Sequence, residues 1–144
     1  MIGDQAGYSQ TAAVFNTFVG KNAGYFSTGN LNTFIGKDAG YYATGAFNTI
    51  VGAATTNGVT FSGTYNTLMG FGTGNSLTTG SKNTFIGTLG TSNYCGASIT
   101  TGAKNTIIGG YSGNQGGLDI RTASNNIVLS DGDGNPHIIH DGLR

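Results

Sequence analysis

Apolar residues come along this chain in adjacent pairs, each held between Asn-Thr and Gly, and the pairs return at regular intervals. Asn16-Thr17-Phe18-Val19-Gly20 is followed by Asn32-Thr33-Phe34-Ile35-Gly36, Asn48-Thr49-Ile50-Val51-Gly52, Asn66-Thr67-Leu68-Met69-Gly70, Asn83-Thr84-Phe85-Ile86-Gly87 and Asn105-Thr106-Ile107-Ile108-Gly109. A degenerate copy, Asn126-Ile127-Val128-Leu129-Ser130, comes last. The asparagines are 16, 16, 18, 17, 22 and 21 residues apart. Such a unit is too short for a helix pair or a propeller blade and suits one turn of a β-solenoid, whose neighbouring turns pair as parallel strands. The pattern therefore predicts an all-β chain, a repetitive parallel β-solenoid or β-roll. Eight or so turns at about 4.8 Å each would make a rod on the order of 40 Å long.

Glycine punctuates the rest of each unit. A Thr-Gly or Ser-Gly pair precedes the strand motif at Thr28-Gly29, Thr44-Gly45, Ser62-Gly63, Thr79-Gly80 and Thr101-Gly102. Each unit then reads as strand, Gly turn, short arc and Thr-Gly turn, with glycine where positive φ is wanted. Met1-Ile2-Gly3 fits the end of one more copy. The pattern thus opens in mid-repeat and implies a fragment of something longer.

Within the motif, Asn and the first apolar residue point to one side of the strand, while Thr and the second apolar residue point to the other. Both apolar positions are filled in every copy. Continuous filling signals burial on both faces, one against the solenoid interior and the other against a second chain. A rung this thin also encloses little core to offset the entropy of ordering its backbone. The expectation is a homo-oligomer, a homotrimer intertwined or side by side about the fibre axis. Residues 1–113 read as the repeat shaft and residues 114–144 as a C-terminal cap with a hairpin across the Asp131-Gly132-Asp133-Gly134 turn.

The Asn-Thr-x-[Ile/Val]-Gly-x-x-Ala-Gly unit, clearest at residues 16–24 and 32–40, resembles the head repeats of trimeric autotransporter adhesins and the similar repeats of bacteriophage tail fibres. The resemblance spans roughly residues 1–113, and the longer spacing leans toward the phage version. Residues 124–136 resemble the segment that follows the repeats in many tail fibres and precedes a self-cleaving chaperone domain. The resemblance implies a trimeric, left-handed β-roll; handedness and trimer number come from it and not from spacing.

Composition narrows the function. Only 8% of the residues are charged and the net charge is zero, so no basic patch exists for nucleic acid. The basic residues Lys21, Lys37, Lys82, Lys104, Arg121 and Arg144 stand singly. No apolar run of about 18 residues marks a membrane span. Glycine, at 27 residues, suggests disorder by itself, but 37% hydrophobic and 10% aromatic content in fixed register argues for order. Cys95 is alone, so no internal disulfide forms, and it reads as a small buried residue.

Candidate chemistry is sparse. All six acids are aspartates: Asp4 and Asp38 in solvent-like turn positions of the repeat, Asp119 at a connection, and Asp131, Asp133 and Asp141 near the C-terminus. The Asp131-Gly-Asp133-Gly-Asn135 run opens like a calcium loop but places Pro136 where glycine is needed and Gly142 where the bidentate Glu belongs, so a hairpin turn is expected. His137 and His140, three apart in a strand, face opposite sides and read as a polar edge, with a metal on a symmetry axis as the alternative. No nucleophile-elbow or phosphate-loop pattern occurs. No cofactor, metal or catalytic site is expected.

The repeated residues carry structure. Asn16, Asn32, Asn48, Asn66, Asn83 and Asn105 predict a column of amides bonded from rung to rung. Gly20, Gly36, Gly52, Gly70, Gly87 and Gly109 predict turns. Phe18, Phe34 and Phe85 share a strand position with Ile50, Leu68 and Ile107 and read as core. Tyr8, Tyr25 and Tyr41 follow the Ala-Gly turn in successive units and predict a ladder that either stiffens the rod, seals the chain interface or contacts a glycan receptor. The expected function is a structural fibre segment of a phage tail on the virion. Its partners would be itself, other tail or fibre proteins and a bacterial surface glycan or protein. The alternatives are a bacterial surface adhesin head, a polysaccharide-cleaving tailspike and an ice-binding solenoid. The lengthened units near residues 88–104 and 110–125 are where binding loops are expected.

Overall fold

The structure, a computed structural model, describes residues 1–56, 58–87 and 94–142. No helix occurs among them. Six three-residue strands, β1 (Thr17–Val19), β2 (Thr33–Ile35), β3 (Thr49–Val51), β4 (Thr67–Met69), β5 (Thr84–Ile86) and β6 (Thr106–Ile108), stack in sequence order. A small antiparallel pair, β7 (Asn114–Gln115) and β8 (Leu118–Asp119), interrupts the last wide turn. β9 (Ile127–Ser130) continues the stack, and β10 (Pro136–His140) pairs antiparallel with β9.

Pairing from β1 to β6 and on to β9 is parallel and in strict register, Thr on Thr and apolar on apolar until Thr106 meets Ile127. Seven parallel strands bound six complete turns. The expected eight included partial copies; six steps of about 4.8 Å span roughly 29 Å, not 40. Rung zero contributes to the strand stack a single bridge from Ile2 to Val19, and its turn adds backbone bonds such as Ser9 N–H to the Tyr25 carbonyl at 2.9 Å.

The first apolar residue of each motif points inward: Phe18, Phe34, Ile50, Leu68, Phe85, Ile107 and Val128 have no exposed surface. Two further inner columns complete the core. One lies just ahead of the second turn and runs Ala23, Ala39, Thr55, Thr73, Cys95, Tyr111. The other lies one or two residues ahead of the Thr-Gly turn and runs Ser27, Ala43, Phe61, Leu77, Ile99, Ile120. The first grows from Ala to Tyr toward the C-terminus and the second steps up from Ser27 and Ala43 to Phe61, Leu77 and the isoleucines, in keeping with the longer units there: a longer perimeter is needed to enclose Phe61 or Tyr111 than Ala43 or Ala23. Tyr111 ends its column as a plug, its hydroxyl donating to the carbonyl of Leu118 at 2.9 Å. Burial pushes that phenol up to about 12.

Ser27 occupies the narrow end of a core column with a hydroxyl that is buried and has no hydrogen-bond partner. A buried orphan costs on the order of 1–3 kcal/mol. Ser27→Ala, which matches the Ala43 below it, is therefore expected to stabilise the fold by about 1 kcal/mol, read as a rise in urea midpoint at unchanged slope. A drop in midpoint would mean that the hydroxyl is satisfied.

One backbone feature runs against propensity. The residue before every motif Asn is left-handed: Phe15, Leu31, Phe47, Tyr65, Lys82, Lys104 and Asn125 all have φ between 58° and 66°. Only Asn favours that region. The conformation is imposed by the stack, because from Leu31 onward each such N–H donates to a carbonyl one rung back, as Phe47 does to Asn30 at 3.1 Å.

Candidate interaction surfaces

The outward strand face carries a Thr column and, beside it, Val19, Ile35, Val51, Met69, Ile86 and Ile108. A single chain leaves this stripe half open: Ile35 is 39% exposed, Met69 40% and Ile108 45%. Six aliphatic side chains in one line, spaced by about 4.8 Å, form a continuous apolar strip along the rod. Contiguous exposed apolar surface of this kind makes the strip a candidate interaction surface.

Tyr8, Tyr25 and Tyr41 form a ladder. Tyr8 and Tyr25 stack with centroids 4.9 Å apart, Tyr25 and Tyr41 at 5.0 Å and only 3° from parallel. This geometry bears on how the ladder meets a ligand. The faces of Tyr25 are spent on its two neighbours, leaving ring edges for anything outside. Beside it stands a second stack absent from the sequence reading, Phe26 on Tyr42 at 5.4 Å and 9°. The two stacks meet edge to face, Tyr25 with Phe26 at 4.6 Å and Tyr41 with Tyr42 at 4.7 Å. The signal was present as adjacent aromatics, Tyr25-Phe26 and Tyr41-Tyr42, one repeat apart.

The motif asparagines form a buried column whose amides bond mainly to backbone and less to one another. Asn32 Oδ1 accepts the backbone N–H of Asn48 at 2.8 Å, and its Nδ2 donates to the Gly45 carbonyl at 2.9 Å. The same two bonds recur at Asn16, Asn48, Asn66, Asn83 and Asn105, the last with Ala123 in place of glycine. Amide-to-amide bonds add to this at Asn66 and Asn126. Each column member thereby ties strand and Thr-Gly turn of the next rung together. The motif glycines Gly20, Gly36, Gly52, Gly70, Gly87 and Gly109 all hold positive φ and lie against the next rung's backbone.

The acids have local partners. Asp4 pairs with Lys21 at 3.8 Å. Asp38, expected in a solvent-like turn, is instead 8% exposed and accepts from Asn22 Nδ2 at 2.8 Å and from Lys37. Burial pushes its carboxyl up, but those hydrogen bonds and the charges of Lys37 and Lys21 outweigh it and the net shift is downward. Asp119 pairs with Arg121 at 2.7 Å. Asp131 accepts the backbone N–H groups of Asp133 and Asn135, the Asn135 amide and a contact from His137 Nε2 at 3.2 Å. The Asn135 bonds, first among these, hold its carboxyl down at about 2. Both oxygens face donors, the reverse of a cation loop. No group of three or more His, Cys, Asp or Glu able to hold a metal occurs among the described residues.

Cys95 is one step of the widening inner column, and burial pushes its thiol up to about 12, so it sits as a neutral core residue. Of the lengthened units, residues 88–93 and Arg144 lie outside the described residues. Residues 110–125 hold the Tyr111 plug, the β7–β8 pair and the exposed Asp119–Arg121 bridge. No helix among the described residues is long and apolar enough to cross a membrane.

Comparison with family models, with curated proteins and with solved structures finds no match to this chain.

Proposed function

We propose that the chain is a structural, adhesive segment of a phage tail fibre, carried on the virion as a homotrimer. It works mechanically: it holds a receptor-contacting region away from the particle and toward a bacterial surface glycan or protein. Neighbouring tail or fibre proteins continue the shaft. The observation that carries the reading is the outward strip of Thr and aliphatic residues, continuous through six strands and half open in a lone chain. Burying it between copies supplies apolar contact that a rung lined by Ala23, Ala39 and Ala43 lacks inside. The resemblance of the repeat supplies the number three and the phage setting. Catalysis is not part of the reading: the acids serve neighbouring groups, and the repeated residues serve the stack.

Sedimentation of the isolated chain at micromolar concentration tests it. Three times the chain mass is expected, and the double change Met69→Lys with Ile86→Lys is expected to reduce that to one chain while the β-sheet circular dichroism persists. Four buried-line charges per pair of neighbours cannot be accommodated in a dry interface. A monomeric unmodified chain would remove the assembly argument and the fibre reading with it.

A further inference from the structure

The two aromatic stacks are unequal. The first has three rings, one in each of rungs zero, one and two, while the second has two, Phe26 and Tyr42. Rung register places Ser9 where the second stack's missing ring would be: Ser9 N–H donates to Tyr25 just as Phe26 N–H donates to Tyr41. Phe26 is 43% exposed, and its face toward Ser9 meets no ring. Tyr8, 65% exposed, stands beside that place as Tyr25 stands beside Phe26. The result is a notch one ring thick with an aromatic floor, an aromatic side wall and a serine at its back.

We propose that this notch is a subsite for one pyranose ring of a neutral polysaccharide. A pyranose offers a flat C–H face to Phe26 and a hydroxyl rim to the hydroxyls of Ser9 and Tyr8, which matches a site that is apolar below and polar at its edge. The nearby charges do not favour an ion, since Asp4 and Lys21 already pair. An aromatic side chain from another copy would match the floor but leave the polar back unused. The subsite rests on the adhesive reading and names the chemistry of its receptor. One ring gives weak binding, with a dissociation constant on the order of millimolar, which repetition over several chains strengthens.

Saturation-transfer NMR on the intact chain tests this with millimolar methyl α-D-glucopyranoside, methyl β-D-galactopyranoside and methyl N-acetyl-β-D-glucosaminide as probes. At least one is expected to receive saturation on its ring protons. Ser9→Phe fills the vacant place with the ring that rung one already carries, so it is expected to weaken binding by about tenfold or more while the melting temperature holds or rises. Phe26→Ala removes the floor and is expected to do the same to binding; Ser9→Ala keeps the notch open and retains it. No saturation of any probe, or Ser9→Phe binding as the unmodified chain does, would overturn the subsite. So would a fall in sedimenting mass on Ser9→Phe, because the notch would then hold a ring of another copy. A monomeric unmodified chain that still binds a probe would sink the trimer and leave the subsite standing.

Discussion

Asn48→Ala is expected to cost the rod about 3 kcal/mol or more, far beyond what a single surface-like polar residue contributes. Asn48 is 1% exposed. Its Oδ1 accepts the backbone N–H of Asn66 at 2.9 Å and the Asn66 amide at 3.1 Å, and its Nδ2 donates to the Gly63 carbonyl at 2.9 Å. Alanine removes the amide and leaves the Asn66 N–H and the Gly63 carbonyl without water or a substitute, each at a cost of about 1–3 kcal/mol. Asn48→Asp should be no better, since a carboxylate would face that same carbonyl. The loss is also topological. Each rung touches only its neighbours, so the break falls between the third and fourth rungs and uncouples the two halves of the stack. Urea unfolding measures it: a midpoint within experimental error of the unmodified chain would show that the amide column is idle.

Gly36→Ala is expected to be comparably severe for a different reason. Gly36 has φ of 133°, and a Cβ there would lie 2.5 Å from the carbonyl oxygen of Gly52 and 2.7 Å from its carbon. Both are backbone atoms, so no side chain can swing aside. Backbone strain in that region costs on the order of 1–3 kcal/mol, and forcing the rungs apart adds a similar amount. Gly132→Ala is the control. A Cβ at Gly132 meets nothing within 4 Å, and the change is expected to stay within about 0.5 kcal/mol. Thermal unfolding of the two variants side by side decides the matter; equal melting temperatures would mean that the rungs separate easily. The last rung obeys the same logic. Ser130 and Ala123 stand where earlier rungs carry glycine, and neither has a further strand-and-turn rung pressed on it in the stack.

The strand positions and their parallel register were legible because the stack pairs each motif with its own copy, so that periodicity and pairing are one fact. The inward direction of Phe18, Phe34 and Ile50 followed from the two-residue alternation of a strand. Other features depend on rungs acting together and have no local signature. Leu31, Phe47 and Tyr65 are poor residues for positive φ, and nothing in their own neighbourhood announces it; the bond to the preceding rung does. The asparagine amides were expected to reach each other, yet the nearest unsatisfied groups are the next strand's N–H and the next turn's carbonyl, and those are taken first. Asp38 was misplaced in solvent because a turn residue was treated singly, whereas Asn22 one rung earlier covers it. The second aromatic stack was missed because Phe26 and Tyr42 differ in kind, and only position unites them.

The widening inner columns have a consequence for how the chain finds its own order. Rungs that share one hydrogen-bond pattern fit equally well one place out of line, and a slipped stack would keep every backbone bond it started with. Volume forbids it. A shift of one rung would press Tyr111 into the space cut for Cys95 and Phe61 into that of Ala43, and each such overfilling costs about 1–3 kcal/mol. The steps from Ala to Thr, Cys and Tyr along one column, with the step from Ala43 to Phe61 in the other, thus act as addresses that hold the turns in their order.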